Sequence, residues 1–328
     1  MNSTPSLWQQ ELNQAFTGST ELLNYLKLSP DLSVTEAENS FSLRVPLAYA
    51  KNMEKANRYD PLLLQVLPIA DELNSPKNYL DDPVGDLPAL KNGCLIHKYH
   101  DRVLFITTGG CAINCRFCFR RNFSYSDAQL TSKNEIRALQ YLRNNPSINE
   151  VIFSGGDSLL LSDQRIEHLI QELAKISHIK RLRFHTRLPI VLPSRMTEAL
   201  IDLFQNAPLP IIIVTHCNHA NELSEQVKQA CLRLKQTNIT LLNQTVLLKN
   251  INDHPVALKE LSEQLFACGI LPYYLHILDK AKGTAHFDIT EAKAIQLHQS
   301  LQKQLSGYLV PKLVKEEAGK ANKTLITY

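Results

Sequence analysis

Downstream of residue 102 the chain alternates two hydrophobic rhythms. Short apolar runs rich in β-branched residues, VLFITT, EVIFSGG, RLRFHT, PIIIVTH, TLLNQTVLL and PYYLHIL, read as six strands. Interleaved with them, residues 131–144, 163–175, 195–206, 221–236, 255–267 and 290–304 carry apolar side chains three or four apart, the spacing of one helical face. Strand and helix in alternation predict a parallel sheet covered on both faces.

Polar positions then choose between an open doubly wound sheet and a curved, incomplete barrel. Residues 154–157, 185–187, 215–218, 243–244 and Asp279 fall at or near the carboxyl ends of their strands, where (β/α) barrels gather functional groups. Polar groups from so many strands on one rim favour a single cup, because an open sheet concentrates its site at one switch point. The expectation is an α/β fold, an incomplete (β/α)6 barrel over residues 96–310. Residues 1–95, with two helical patterns and the proline-rich stretch VLPIADELNSPKNYLDDPVGDLP, read as an N-terminal helical accessory layer, and residues 311–328 as a polar C-terminal segment.

Composition narrows the function classes. With 328 residues, 44% hydrophobic and 20% charged, the chain has enough apolar material for a large core and nothing of a disordered segment. A net charge of +3, evenly spread, argues against a nucleic-acid partner. The start lacks a basic, apolar secretory pattern and no run approaches the ~20 apolar residues of a membrane span, so a soluble, cytoplasmic protein with no membrane partner is expected. Seven cysteines, an odd number, fit no disulfide framework; Cys94, Cys217, Cys231 and Cys268 sit among apolar residues as small core hydrophobes. Cys111, Cys115 and Cys118 stand apart, packed into CAINCRFC. From the residues alone they are either soft ligands for a metal or cluster, or a structural zinc staple that lacks a clear fourth ligand.

The C-x3-C-x2-C loop after a first barrel strand, with Phe117 before its third cysteine and SGGD closing the next strand, resembles the radical S-adenosylmethionine enzymes. The resemblance implies that Cys111, Cys115 and Cys118 hold three corners of a [4Fe–4S] cluster and leave the fourth iron to S-adenosylmethionine. It implies further that Ser154, Gly155, Gly156 and Asp157 form the motif that meets the methionine amino group, that Phe117 faces the adenine, and that His216 and Gln244 lie near the adenosyl ligand. Beyond the cluster, RFHTRLPIVLPSRMT, VTHCNHANELSE, LNQTVLLKNINDH and PYYLHILDKAKGTAHF are similar to the lysine 2,3-aminomutases, over roughly residues 90 to 324. The likeness is greatest to a shorter bacterial branch that makes (R)-β-lysine for translation elongation factor P.

That resemblance implies a second cofactor, pyridoxal 5'-phosphate, bordered by Lys98, Tyr99 and Arg102 and carried by Lys323, with Lys320 a nearby rival for the same role. It places Arg120 on the carboxylate of an L-lysine substrate, and Asp279 and Glu316 on its ε-ammonium. The implied partners are an electron donor such as flavodoxin and, functionally, the elongation factor P lysyl-transferase. His254 follows Asn252 and Asp253 where the longer mutases carry a zinc-binding cysteine, and the sequence stops at Tyr328, so no structural zinc is expected. An aminomutase acting on glutamate or arginine, and an RNA-modifying radical enzyme of the same fold, remain as alternatives.

Overall fold

The computed structural model describes residues 5–125, 128 and 130–328. Among the described residues ten strands form one sheet in chain order: β1 (Leu90–Lys91), β2 (Leu95–Tyr99), β3 (Arg102–Thr108), β4 (Glu150–Gly155), β5 (Arg181–Thr186), β6 (Ile211–His216), β7 (Thr240–Val246), β8 (Leu271–His276), β9 (Lys312–Lys315) and β10 (Thr324–Leu325). The entry strands β1 and β2 are antiparallel and feed β3, the strands from β3 to β9 are parallel, and β10 folds back antiparallel on β9. The order is sequential and β1 and β10 are left as edges, so the sheet curls without closing, as expected of an incomplete barrel.

Period-2 alternation explains the cup. On β5, Leu182, Phe184 and Thr186 are buried toward the helices while Arg181, Arg183 and His185 take the other face. The stacked rings of Phe153 and Phe184, 4.4 Å apart at their centroids, continue that outer packing from β4 to β5. His216, Gln244 and His276 take the inward positions at the ends of β6, β7 and β8, which makes the concave face polar.

The helices start where a side chain can cap them. Thr131, Ser162, Thr197, Ser224 and Thr290 each accept a hydrogen bond from the backbone N–H three residues on, opening Ser132–Arg143, Asp163–Ala174, Glu198–Gln205, Glu225–Lys235 and Glu291–Gln304. Pro255 begins the sixth, Pro255–Ala267. Caps also correct two boundaries: the helices expected from 195 and 221 start later, at Glu198 and Glu225, after short 3-10 turns at Pro193–Arg195 and Ala220–Glu222.

The N-terminal helices Leu7–Asn13, Ser19–Tyr25, Thr35–Ser40 and Leu47–Ala50 pack over the mouth of the sheet, and Leu22, Leu23, Leu26, Leu62 and Leu63 share one apolar core with Phe105, Phe153 and Phe184. This layer grips the cysteine loop that follows β3. Asn114 N–H donates to the Arg44 carbonyl (3.0 Å) and Arg116 N–H to the Gln65 carbonyl (2.9 Å). The fully buried Arg116 guanidinium donates through Nε to Glu72 Oε1 (2.8 Å) and through Nη2 to the Ala37 carbonyl (3.0 Å), and Arg121 Nη2 reaches Glu72 Oε2 (2.7 Å).

Four strands fall outside the six read from the chain: β1 and β2, which form where an accessory layer and a basic stretch were expected, and β9 and β10 at the other edge. The stretch KLVK becomes β9, with Tyr274, Leu275 and His276 of β8 paired to Lys312, Leu313 and Val314, and Thr324 and Leu325 return as β10 opposite Lys315 and Val314. Four residues are too few to show a period, and the polar residues around them conceal the strand. Among the described residues no helix is long and apolar enough to cross a membrane.

Because Glu72 is the shared counter-charge of two buried guanidinium groups, Glu72→Ala is expected to cost about 3–5 kcal/mol of stability. The loss is read from the urea unfolding midpoint.

Candidate active site

A cavity of about 460 Å³ opens at the carboxyl ends of the parallel strands, under the N-terminal layer. Its walls bring together Cys111, Cys115, Cys118, Phe117, Arg120, residues 154–157, His216, Gln244, Asp279, Lys98, Tyr99, Arg102, Glu316 and Lys323. Lys320 lies apart, exposed on the loop between β9 and β10, where its N–H donates to the Glu317 carbonyl.

The cysteine loop turns tightly, with Cys118 N–H on the Cys115 carbonyl at 3.0 Å. Burial raises all three thiols: Cys118 to about 11, with Cys115 adding repulsion, and Cys111 well above its ordinary value. Burial also lifts Cys115, but the Arg187 guanidinium, whose Nη1 lies 2.7 Å from Cys115 Sγ, opposes the rise. Among the described residues no three His, Cys, Asp or Glu side chains converge as they would on a single ion, where sulfurs about 2.3 Å from a metal crowd one another. The three thiols line one cavity and lie close enough to raise one another, and soft donors of this kind suit an iron–sulfur cluster.

The turn after β4 supports that loop from below. Gly156 N–H donates to the Thr108 carbonyl (2.7 Å) and Asp157 N–H to the Gly110 carbonyl (2.8 Å). A Cβ on Gly156 would stand 2.1 Å from the Gly110 carbonyl oxygen, and Gly155 holds φ +114°, so both glycines are required by the chain's own approach to the cysteine loop. The Asp157 carboxylate accepts from Thr186 Oγ1 (2.7 Å), Arg187 N–H (2.7 Å), Leu159 N–H (3.1 Å) and Leu188 N–H (3.2 Å). It ties the β4 and β5 ends together, and burial raises its pKa against these bonds. Arg120 Nη1 reaches Ser154 Oγ at 3.1 Å.

Farther along the wall runs a chain of alternating charge. Lys323 Nζ lies 2.7 Å from Glu316, Glu316 4.0 Å from Lys98, Lys98 2.5 Å from Asp86, and Asp86 2.7 Å from Arg120 Nε. Tyr99 Oη donates to Glu316 at 2.5 Å, and the Arg102 guanidinium lies over the Tyr99 ring at 4.4 Å. Burial pushes Asp86 and Glu316 upward, but the cations beside them prevail and hold both below the usual carboxylate range. Asp279 differs: burial lifts it to about 7, only partly offset by Lys323.

Three histidines are neutral by desolvation. Burial, with Arg187 next in effect, drops His216 to about 3, and its Nε2 meets Gln244 Nε2 at 2.6 Å, so the ring nitrogen accepts from the amide. His185 and His276 are held well below their ordinary value by burial, and each has a buried Nε2 with no partner among the described residues. Orphaned polar atoms on the wall of such a cavity point to a polar ligand.

Sequence reasoning missed Asp86, which lies in the proline-rich stretch read as punctuation, and Tyr125, which donates to the Gly155 carbonyl at 2.7 Å. It flagged Arg187 without a role. No periodicity or motif marks Asp86; only the fold brings it to Arg120.

The cysteine loop, the glycine turn beneath it and the partial barrel define a radical S-adenosylmethionine enzyme, and residues 105–261 match the Radical SAM superfamily. The chain is 45% identical over 327 residues to the L-lysine 2,3-aminomutase of Escherichia coli (98% of this chain, 95% of that one), and 44% identical over 320 residues to that of Haemophilus influenzae (97% and 95%). The L-lysine 2,3-aminomutase of Clostridium subterminale is 34% identical over 320 residues, 97% of this chain and 77% of that one. A radical SAM methyltransferase of known structure from Sphaerobacter thermophilus overlays with a TM-score of 0.45 at 16% identity, over 67% of this chain and 68% of that one. The chain belongs to the L-lysine 2,3-aminomutase family, whose members are isomerases, and membership implies a [4Fe–4S] cluster and S-adenosylmethionine.

Gly156→Ala is expected to lower stability by at least about 1–3 kcal/mol through backbone overpacking, and to reduce iron retention. Gly307→Ala, where a Cβ meets nothing within 4 Å, should change neither the melting temperature nor the iron content per chain.

Proposed function

We propose that the chain converts L-lysine to (R)-β-lysine by a 2,3-amino shift, using Cys111, Cys115 and Cys118 for a [4Fe–4S] cluster, the 154–157 turn, Phe117, His216 and Gln244 for S-adenosylmethionine, and Lys323 for pyridoxal 5'-phosphate. The observation that carries this reading is the alternating run Lys323, Glu316, Lys98, Asp86 and Arg120 along one cavity. It offers a guanidinium for a carboxylate beside the cysteine loop, and acids for an ammonium beside Lys323.

When bound, the cluster and S-adenosylmethionine supply a carbon radical that takes hydrogen from an unactivated carbon, and pyridoxal phosphate supplies a carrier for the migrating amino group. The chain's residues bind and orient. Arg120, fixed by Asp86 and Ser154, holds the α-carboxylate in one orientation, so the β-carbon is placed before reaction. Asp279 and Glu316 receive the ε-ammonium; the same acids would repel the side-chain carboxylate of glutamate. Lys323 presents its amine to the cofactor aldehyde from a hairpin that Glu316 steadies, and Lys98 and Arg102 provide donors for a phosphate, with the Tyr99 ring beside them. Neutral His185, His216 and His276 add donors and acceptors without charge.

Higher identity to the Escherichia coli relative (45%) than to the Clostridium subterminale one (34%) supports placing the chain with the former and, on the resemblance, reading its product as β-lysine for elongation factor P and its reductant as flavodoxin-like. The test is anaerobic incubation of the reconstituted, dithionite-reduced chain with isotopically labelled lysine, S-adenosylmethionine and pyridoxal phosphate, followed by borohydride trapping. Label in β-lysine, and a reduced pyridoxyl group on the Lys323 peptide, are expected. Turnover of glutamate or arginine instead of lysine, or trapping on Lys320, would overturn the corresponding assignment.

A pH dependence follows from Asp279. Its carboxyl, at about 7 in the free cavity, is half protonated near neutrality, and an incoming ammonium favours the ionised form. Lysine KM is therefore expected to fall as pH rises from 6 to 8. Asp279→Asn should raise KM and flatten that slope, as a steady-state pH series will show.

A further inference from the structure

The buried guanidinium of Arg187 stands apart from the lysine-binding and pyridoxal-binding residues. Its backbone N–H is held by Asp157 (2.7 Å), and its side chain, 6% exposed, points to the cysteine loop, where Nη1 donates to Cys115 Sγ at 2.7 Å. Nη2 donates to Gln65 Oε1 (2.6 Å), Glu222 Oε2 (2.8 Å) and Tyr49 Oη (3.3 Å). The rings of Tyr49 and Phe117 flank the guanidinium carbon at 5.4 and 5.5 Å. Glu222, fully buried, is fixed in turn by the N–H groups of Asn218 (2.9 Å) and His219 (3.0 Å) and by Gln65 Nε2 (3.2 Å). The result is a rigid ion pair whose positive end rests on one ligand sulfur.

We propose that Arg187 is a positioning residue for the iron–sulfur cluster: it fixes the Cys115 sulfur and places a positive charge on it, raising the potential at which the cluster accepts its electron. This rests on the cysteine-ligand part of the proposed function and on no other part of it. Cluster potentials follow local charge, hydrogen bonds to the sulfurs and exclusion of solvent, and all three meet at this contact. Reduction adds one electron from the reductant to the cluster and breaks no bond. The added negative charge is stabilised by Arg187 and opposed by Glu222, which lies one residue farther from the sulfur. In a buried setting both effects are strong. Gln65 and Tyr49 belong to the N-terminal layer, so this layer sets the electronics of the cluster as well as covering the barrel.

The test is a redox titration of the full chain with its reconstituted cluster, followed by electron paramagnetic resonance, with no S-adenosylmethionine, pyridoxal phosphate or amino acid present. Arg187→Gln is expected to make reduction at least tenfold less favourable, about 59 mV lower for a one-electron couple. Glu222→Gln, which leaves the arginine uncompensated, should move the potential upward. Opposite shifts support the proposal, because a merely structural role would not change sign with the charge removed. Unchanged potentials, or shifts in one direction for both variants, overturn it. If Arg187→Gln does not retain iron, Glu222→Gln decides alone: a rise supports the proposal, and an unchanged or lower value overturns it. A wild-type chain that holds no cluster would overturn the cysteine assignment instead, which separates the two failures.

Discussion

One buried carboxylate, Glu72, meets two guanidinium groups, and the mouth of the barrel depends on that meeting. Arg116 and Arg121 bracket Cys118 in the chain, so pinning both of them to one acid sets the course of the loop between them. An acid taken out of water without partners carries a heavy desolvation cost; two planar forks with fixed donors offset it. Arg121 Nη1 also reaches the Gly283 carbonyl at 2.9 Å, which joins the cysteine loop to the connection after β8. Across the described residues 109–125 the loop carries no helix or strand, so charge satisfaction from outside sets its shape.

The same logic organises the cavity wall. Asp86 serves Lys98 and Arg120 at once, Glu316 serves Lys323 and Tyr99, and Glu222 serves Arg187. Each cation that could meet an anionic ligand group is already oriented by an acid, so the geometry does not wait for the ligand. Asp279 is compensated only in part, by Lys323 and Lys98, and burial lifts its carboxyl to about 7.

Strands and helices were legible where a period had room to repeat. The six inner strands and six outer helices follow alternation of two and of three to four residues, and their starts are refined by Ser and Thr caps that a window of hydropathy does not weigh. β1, β9 and β10 escaped because two, four and two residues carry no period, and β2 because its polar half, HKY, reads as a basic turn. In the site, the cysteines and the glycine turn were visible as spacing, while the reason for Gly156 was not: the crowding comes from the Gly110 carbonyl across the loop. Asp86 and Glu222 were invisible for a physical reason of their own. A lone acid in a loop acquires meaning only from the cation the fold sets beside it, and each meets its cation tens of residues away in sequence, Asp86 at Arg120 and Glu222 at Arg187.

The hairpin formed by β9 and β10 has a consequence for how this sequence can drift. Lys315 and Thr324 face each other as the last ladder pair, so Glu316 and Lys323 are the two residues at the base of the intervening loop, joined side chain to side chain at 2.7 Å. Both are clamped by the sheet, whereas residues 318–322 project into solvent. Substitutions, and even changes of length, at the tip leave the base where it is, since lengthening a surface loop costs little in closure entropy. Side chains at the base of such a loop are insulated from change at its tip, so residues 318–322 can vary in identity and number while the Glu316–Lys323 contact stays anchored.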